Sequence, residues 1–330
     1  SMETTIRHLS DFIEAMSDPL EIAKGQEFLY QAIDNLAGMH KGLGNYSKAR
    51  ELLEYAYEQK KSTFGPESAE VFKSQILLGQ IYFALREYDQ AELLLRQGLG
   101  LMDQFEGDYI DWKADAFGTL ARLEESRGNT DSAKNWYLKA DAEYQKILGG
   151  DYDFIYLDFL TSASTFFAAA GLKKEALNAA EKGLKYVRAN QGAGTLLDFN
   201  HHINLAEVHF LLKSYGESLR LSRTALETFK EDFLRGERSW LDSIQIETQK
   251  PKAILIQVKS SYFLETQRDQ AFLEKSIAML DEAIDAVERR KTVLQSDQDM
   301  GLLIADNQEL YDFAKKLDLE LFEITGEKRY

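Results

Sequence analysis

One segment pattern recurs five times in this chain at a spacing of about 42 residues, and this period constrains the fold more than any other feature. The segments are "GNYSKARELLEYAY" from Gly44, "REYDQAELLLRQGL" from Arg86, "GNTDSAKNWYLKAD" from Gly128, "GLKKEALNAAEKGL" from Gly171 and "KSYGESLRLSRTAL" from Lys213. Their starts lie 42, 42, 43 and 42 residues apart. A fixed period of this length predicts an array of structural units that bury their apolar faces against their neighbours.

Each segment has the periodicity of an amphipathic helix, with small residues at two fixed positions. Five positions after the start stand Ala49, Ala91, Ala133, Ala176 and Ser218. Seven positions further on stand Ala56, Gly98, Ala140, Gly183 and Ala225. Positions seven apart lie on one face of a helix, where small side chains let a second helix approach closely.

A partner helix is predicted upstream of each segment. Eight and seven residues before the starts stand Leu36-Ala37, Leu78-Gly79, Leu120-Ala121, Ala163-Ser164 and Leu205-Ala206. The starts themselves are glycine, which suits the left-handed end of a helix, or Arg86 and Lys213, whose charge suits the negative helix end. The prolines Pro19, Pro66 and Pro251 each stand where a helix could begin. The period is therefore a helix, a tight turn and a second helix, and the fold is all-α.

The pattern changes after residue 233. Helices are expected over 252–265 and 270–291 as a degraded sixth repeat, because Ser276 and Ala283 keep the seven-residue spacing of small residues. One long helix is expected over 297–324. The sequence thus predicts an N-terminal capping helix region at 1–26, five repeats at 27–235, and the degraded repeat with the long C-terminal helix at 236–330.

The stretch "LLGQIYFALREYDQAELLLRQGL" resembles a tetratricopeptide repeat. The 42-residue spacing and "FGPESAEV" resemble the longer-helix repeats of kinesin light chains. The resemblance covers residues 27–233 as five repeats. It implies a right-handed superhelical α-solenoid of about 14 helices in tetratricopeptide-like pairs.

The C-terminal part carries a second resemblance. "SIAMLDEAIDAVERRK" and "ELYDFAKKLDLELFEITGEKRY" are similar to the segment before the peptidase-like domain of bacterial tetratricopeptide–CHAT proteins. CHAT domains are caspase-like and use a His/Cys dyad. Because this chain contains no cysteine, such a domain would lie beyond Tyr330. The alternative is a C-terminal helix that caps the apolar end of the solenoid.

The charge and the termini limit the classes of partner. A net charge of -16 argues against binding to nucleic acid or to an anionic membrane surface. No apolar stretch is long enough to insert into a membrane. The N-terminal "SMETTIRHLSDFIEAM" lacks the basic-then-apolar pattern of a signal peptide, so we expect a cytoplasmic protein.

No motif in the sequence indicates catalysis. The absence of cysteine excludes disulfides, thiolate metal sites and cysteine nucleophiles within the chain. His202 and His209 lie seven apart on one predicted helix with no further ligand nearby, so core or turn packing is favoured over a metal site. Glycine turns such as "QGAGTLL" lack phosphate-loop spacing. We expect no enzyme activity and no cofactor or metal.

The tetratricopeptide resemblance also implies a binding surface. In this family one side of each first helix lines a concave groove that binds extended or helical peptides. The groove side chains implied here are Lys73, Leu77, Gln80, Phe83, Thr119, Arg122, Glu125, Asn204, Glu207 and Phe210. The alternative for both phenylalanines is packing against the neighbouring repeat.

Some members of the family hold the terminal carboxylate of a peptide with a lysine/asparagine clamp. The matching positions here are Asp34, Gly38 and Leu77, so a chaperone-tail partner is not expected.

Together these features predict a protein–protein interaction scaffold. Its partner is a protein or a peptide, and its context is the regulatory arm of a CHAT-type peptidase. A stand-alone adaptor and a peptide-pheromone receptor are the alternatives, and an enzyme is a remote one. The apolar end of a solenoid also predicts an end-to-end homodimer through the C-terminal helix.

Overall fold

The computed structural model describes residues 2–105, 109–148, 154–235 and 240–327. These residues form helices and connecting turns. The helices are α1 Met2–Glu14, α2 Pro19–Gly42, α3 Tyr46–Phe64, α4 Ala69–Ala84, α5 Tyr88–Met102, α6 Ile110–Ser126, α7 Thr130–Leu148, α8 Phe154–Ala169, α9 Lys173–Asn190, α10 Leu196–Leu211, α11 Tyr215–Arg235, α12 Trp240–Leu264, α13 Gln270–Lys291, α14 Asp297–Asp306 and α15 Gln308–Thr325. The prediction of an all-α fold of about 14 helices is confirmed.

Helices α2 to α13 form six pairs, each made of a first helix and a second helix. The small residues predicted at the helix crossings of the five repeats are all buried. Leu53, Leu95 and Tyr137, which fill the same faces of their second helices, are at most 3% exposed. The sequence pattern therefore identified both contact faces of each pair.

The five predicted turns share one backbone geometry. The residue that starts each segment has positive φ: 77° at Gly44, 63° at Arg86, 76° at Gly128, 75° at Gly171 and 60° at Lys213. The backbone amide of each start residue donates to the carbonyl three residues before it, and the amide of the following residue donates to the carbonyl five residues before it. In the second repeat, the Arg86 amide donates to the Phe83 carbonyl and the Glu87 amide donates to the Tyr82 carbonyl, both at 2.9 Å. This is a Schellman ending, so Arg86 and Lys213 occupy a glycine position as well as complementing the helix dipole.

Lys213→Gly is expected to raise the free energy of unfolding by about 0.5–1 kcal/mol. A left-handed backbone costs a non-glycine residue about 1–2 kcal/mol, and the greater freedom of glycine in the unfolded chain offsets part of that gain. Urea unfolding of the variant measures the effect. Gly171→Lys, at the same position of the preceding turn, is expected to lower stability instead, and a loss of stability in both variants would contradict this account.

Two predictions for the C-terminal part are wrong. Pro251 lies inside α12, which begins at Trp240. An interior proline loses a backbone hydrogen bond and its ring clashes with the preceding turn, but burial of Ala253 to Val258 anchors the helix in the core. The helix expected over 297–324 is divided at Asn307 into α14 and α15. There the Asn307 side-chain amide donates to the Leu303 carbonyl at 2.9 Å, a local bond that competes with regular helix geometry.

The helices belong to two compact units. The first contains residues 1–149 and 294–302, and the second contains residues 150–293 and 303–330. In the first unit, one core cluster is built on Ala49, Leu53, Leu78 and Ile81, and another on Phe72, Ile76 and Leu95. In the second, α12, α13 and α15 share a cluster that includes Leu273, Leu280 and Leu317. The sequence-based boundaries at 26 and 235 stay predictions.

None of the helices within the described ranges combines the length and the apolar composition that a membrane span requires.

Candidate functional site

The side chains predicted to line a groove lie on the first helices, but not all of them are available to a partner. In the first unit, α4 carries Lys73, Leu77, Gln80 and Phe83, and α6 carries Thr119, Arg122 and Glu125. Gln80 is 5% exposed and Thr119 is 1% exposed. Thr119 donates to the backbone carbonyl of Asp115 at 3.0 Å. Both residues therefore serve the packing of the helices and do not present a free face.

Gln80 is the centre of a polar chain that crosses three first helices. Its Oε1 accepts a hydrogen bond from Lys41 Nζ of α2 at 2.8 Å, and its Nε2 donates to Asp115 Oδ2 of α6. Burial raises the pKa of Asp115, while Lys41 and the Gln80 amide lower it only in part. Sequence patterns carry no signal for this polar chain, because Lys41 and Asp115 look like ordinary charged helix residues.

Three more of the predicted groove residues in the first unit already interact with neighbouring side chains of this chain. Lys73 forms an ion pair with Glu70 at 2.8 Å. Leu77 packs against the cluster of Ala49, Leu53 and Leu78. The Glu125 carboxylate accepts a hydrogen bond from the Tyr137 hydroxyl at 2.8 Å. Burial raises the pKa of Glu125.

Phe83 and Arg122 form a contact between neighbouring first helices. The guanidinium carbon of Arg122 lies 4.8 Å from the centroid of the Phe83 ring, the geometry of a cation–π interaction. Tyr88, at the start of α5, lies 5.7 Å from the same ring. Phe83 and Arg122 are both half-buried. Phe83 thus packs against the next repeat, as the alternative interpretation expected, while part of its surface stays accessible.

In the second unit, α10 carries Asn204, Glu207 and Phe210, and the first two are held by neighbouring helices. Asn204 is 2% exposed; it accepts a hydrogen bond from Ser164 at 3.1 Å and donates to the Thr161 carbonyl. Glu207 forms an ion pair with Lys252 at 2.6 Å. Asn204 is therefore a structural residue of the repeat contact.

Phe210 repeats the arrangement found at Phe83. Its ring lies 5.4 Å from Tyr215 and 5.9 Å from Phe263, and Lys259 Nζ of α12 lies 4.6 Å from its centroid. Phe263 is 48% exposed. Phe83 and Phe210 each stand three residues before a segment start, so the same repeat position places an aromatic ring beneath a cation of the next first helix. The sequence predicted both phenylalanines and Arg122, but missed Tyr88, Tyr215, Lys259 and Phe263.

The adjacent histidines of α10 are packing residues. His202 Nδ1 contacts the backbone oxygen of Asp198 at 2.7 Å, and Arg188 contacts its Nε2 at 2.7 Å. Burial would raise the pKa of Asp198, but its hydrogen bonds with His202, Gly194 and Arg188 lower that pKa to about 2. His201 lies against Gly183, where an added Cβ would be 2.7 Å from its Nδ1. No group of three or more histidine, aspartate or glutamate side chains suited to a metal ion occurs among the described residues.

His201 makes stability depend on pH. Burial lowers its pKa to about 4, below the value of about 6.5 in an unfolded chain. As the pH falls from about 6.5 to 4, the unfolded state takes up a proton that the folded state excludes, so the free energy of unfolding falls by up to about 3 kcal/mol. Urea unfolding at several pH values should show this slope in the wild type and a smaller slope in His201→Asn, where His209 still keeps a pKa lowered by burial. His8→Asn, in the exposed part of α1, should keep the wild-type slope, and an unchanged slope in His201→Asn would contradict the assignment.

Comparisons with known proteins identify the repeat. Residues 29–104 match the family model of the tetratricopeptide repeat. No curated protein sequence matches the chain significantly.

Several solved structures are similar to this chain at low sequence identity. A Signal Transduction ATPase with Numerous Domains (STAND) protein with a tetratricopeptide repeat sensor, from Pyrococcus horikoshii, is 18% identical with a TM-score of 0.53, over 92% of this chain and 43% of that one. BtubC from P. vanneervenii is 13% identical with a TM-score of 0.49, over 77% and 89%. A putative kinesin light chain of Podosopora anserina with nearly identical TPR-like repeats is 20% identical with a TM-score of 0.47, over 63% and 97%.

The likeness to the STAND protein shows the fold, and the family match places the repeat in the sequence. The five Schellman turns and the buried small residues of the second helices extend that repeat over the chain. Residues 29–104 are therefore tetratricopeptide repeats, and the paired helices that follow share their turns and crossings.

Proposed function

We propose that this chain is a protein–protein interaction scaffold that binds a peptide or helical segment of a partner along its first helices. Within each unit, consecutive first helices place a half-buried aromatic ring next to a cation. Aromatic and arginine side chains are the residues that most often dominate binding energy in protein interfaces. The scaffold therefore offers its partner a small number of strong contacts.

The observation that carries the proposal is the Arg122–Phe83 contact. Arg122 stacks on the ring, and within the part of the chain that the structure describes no carboxylate lies within 4 Å of its guanidinium. Its side-chain donors are thus available for a backbone carbonyl or a carboxylate of the partner, and the ring is available for an apolar side chain. A partner segment with an apolar residue next to an acidic one fits both, and it also suits a cationic spot on an acidic protein.

A peptide selection on the full chain tests this proposal. Peptides enriched by display should bind saturably, and Phe83→Ala or Arg122→Ala should weaken binding at least tenfold, which is about 1.4 kcal/mol. Leu93→Ala removes an exposed apolar side chain from the second helix α5 and serves as the matched control, with an expected change of less than about twofold. Unfolding midpoints of all variants confirm that the fold is intact. Equal peptide binding by the wild type, Phe83→Ala and Arg122→Ala would contradict the proposal.

One finer function would refine the scaffold, and a peptide receptor is the alternative to it. As the regulatory arm of a CHAT-type protein, the chain would bind a partner that controls a downstream peptidase; the support is the C-terminal resemblance. A reading frame that continues past Tyr330 into an α/β segment with a His/Cys dyad is the expected result, and a stop codon soon after Tyr330 would leave a stand-alone adaptor.

A peptide-pheromone receptor would bind a short peptide near Gln80, Arg122 and Asn204. Gln80 and Asn204 are buried and hydrogen-bonded to neighbouring helices, so only Arg122 of this set offers free donors. This arrangement favours the scaffold over the receptor. A screen of short peptides without a saturable binder would exclude the receptor function.

The end-to-end homodimer is supported by α15. Leu319 and Phe322 stand three residues apart on this helix and are 54% and 40% exposed. An exposed apolar pair on the last helix suits contact with a second copy. Sedimentation at increasing concentration should show a dimer that Phe322→Glu abolishes, and a monomer at all concentrations would contradict it.

A further inference from the structure

The start of helix α3 lacks the cap that its own sequence could supply. Asn45 stands at the N-cap, where an asparagine side chain usually accepts a hydrogen bond from the first turn. Here it makes no such bond. Asn45 is only 5% exposed, and its Oδ1 has no hydrogen-bond partner. The first turn of α3 therefore leaves its amides to another acceptor.

That acceptor comes from a position 252 residues further along the chain. The amide of Ser47 donates to both carboxylate oxygens of Asp299, at 3.2 and 3.3 Å. The Ser47 hydroxyl lies 3.2 Å from Asp299 Oδ1, 3.0 Å from Ser296 Oγ and 3.5 Å from Gln298 Oε1. Asp299 is 2% exposed. A carboxylate at this place satisfies the amide and complements the positive end of the α3 dipole.

The segment that carries Asp299 also has an apolar contact. Residues 294–302 form a returning segment: they belong to the first compact unit, although the residues before and after them belong to the second. Leu302 packs against the cluster of Ala49, Leu53 and Leu78. Ser296 caps α14 by accepting a hydrogen bond from the Asp299 amide at 3.0 Å. Ser296, Asp299 and Leu302 are spaced three residues apart, so one face of the segment presents all three to α3 and the core cluster beside it.

We propose that the returning segment is an internal ligand, and that the same site at the start of α3 accepts a partner helix with the pattern Ser-x-x-Asp-x-x-Leu. The contact consists of one carboxylate on a helix N-terminus, one hydroxyl pair and one leucine. A contact this small holds because the chain tethers it at high effective concentration, so a partner segment with the same three groups can replace it. Partner binding would then be coupled to release of the returning segment. Phe83 and Arg122, which carry the proposed first-helix face, take no part in this contact, so failure of either proposal leaves the other standing.

A disulfide provides a reversible lock for the test. The chain contains no cysteine, so Ser47→Cys with Ser296→Cys introduces a single pair. The hydroxyl oxygens of these serines are 3.0 Å apart, which brings their side chains close enough for a disulfide. The probe is a fluorescein-labelled synthetic peptide of residues 294–306. The oxidised full chain should not bind the peptide, and reduction of the same sample should restore binding.

Removal of the internal carboxylate gives the opposite effect. The Asp299→Ala chain should bind the peptide at least about tenfold more tightly than the wild type, because its own returning segment no longer competes. Asp297→Ala, two residues away at an exposed position, is the matched control and should bind like the wild type. A peptide that carries alanine in place of the aspartate at position 299 should not bind any of the chains.

Hydrogen exchange at the Ser47 amide reads the site directly. This amide should exchange faster in Asp299→Ala than in Asp297→Ala, since the carboxylate that protects it is gone. Equal exchange in the two variants would overturn the capping role. Equal peptide binding by the oxidised and reduced cysteine variant, or no binding to Asp299→Ala once exchange has shown release, would overturn the ligand site.

Discussion

Leu95→Ala should lower the free energy of unfolding by about 2–5 kcal/mol. Leu95 is fully buried on α5, in the cluster of Phe72, Ile76 and Leu120. Truncation removes buried apolar surface and leaves a cavity, because the paired helices are held by their other contacts. Urea unfolding followed by circular dichroism measures the loss.

Gly79 on α4, which lies against Leu95, gives this prediction a second, more specific test. A Cβ on Gly79 would lie 2.7 Å from Leu95 Cγ and 2.9 Å from its Cδ2. Gly79→Ala should therefore cost about 1–3 kcal/mol in the wild type through overpacking. In the Leu95→Ala background only the 3.2 Å approach to the Ala91 carbonyl oxygen remains. The same change should then cost clearly less than in the wild type, since alanine also favours a helix over glycine by about 1 kcal/mol.

Gly100→Ala is the matched control for that cycle. Gly100 lies on α5, and no atom lies within 4 Å of where its Cβ would be. The substitution should stabilise the chain by roughly 0.5–1 kcal/mol in either background. If Gly79→Ala cost the same with and without the Leu95 side chain, the helix crossing would not be set by this large-against-small contact.

Lys60→Met should lower the free energy of unfolding by about 3–5 kcal/mol at neutral pH. Lys60 is 1% exposed, and its Nζ donates to Asp34 Oδ2 at 2.6 Å and to Ser74 Oγ at 3.1 Å. Methionine keeps most of the volume but leaves the largely buried Asp34 carboxylate without its cation. Burial already raises the pKa of Asp34, so the loss should shrink as the pH falls and Asp34 takes up a proton.

Two further variants separate charge from packing at this position. Lys61→Met removes a partly exposed lysine whose ion pair is with the exposed Glu58, and it should change stability by less than about 0.5 kcal/mol. Combining Lys60→Met with Asp34→Leu replaces the ion pair with apolar groups and should recover most of the loss. A loss below about 1 kcal/mol for Lys60→Met would show that the Lys60–Asp34 ion pair does not stabilise the contact between α2 and α3.

The repeat, its turns and its crossing faces could be predicted from the sequence because they depend on neighbours in the chain. The spacing of Ala49 and Ala56 follows from helix geometry alone, and Gly44 marks the left-handed end of α2. For Arg86 and Lys213, the sequence pattern predicts only that their positive charge complements the negative end of the helix dipole. Their left-handed backbone follows from their place in the period, which outweighs the usual preference for glycine.

The features that the sequence missed depend on distant parts of the chain. Asp299 looks like an ordinary acid in the first turn of α14, and only the fold brings it to Ser47. Lys60 looks like a surface lysine, since its burial depends on Asp34 and Ser74 from neighbouring helices. The division at Asn307 is likewise hidden, because the apolar spacing of α14 and α15 suits one continuous helix.

The candidate binding face was predicted in outline and not in detail. The resemblance placed ten side chains on the first helices, and the structure finds Gln80, Thr119 and Asn204 buried among neighbouring helices. A repeat pattern identifies which face of a helix a residue occupies. It does not identify which polar residues satisfy one another across that face, as Lys41, Gln80 and Asp115 do.

The most direct test of the scaffold function is a hydrogen-exchange map of the full chain with and without a peptide selected on it. Added protection is expected on first helices, at α4 and α6 around Phe83 and Arg122 or at α10 and α12 around Phe210 and Lys259. No change is expected in the second helices α5 and α7. Protection confined to the second helices would contradict the proposal that the first helices form the binding face.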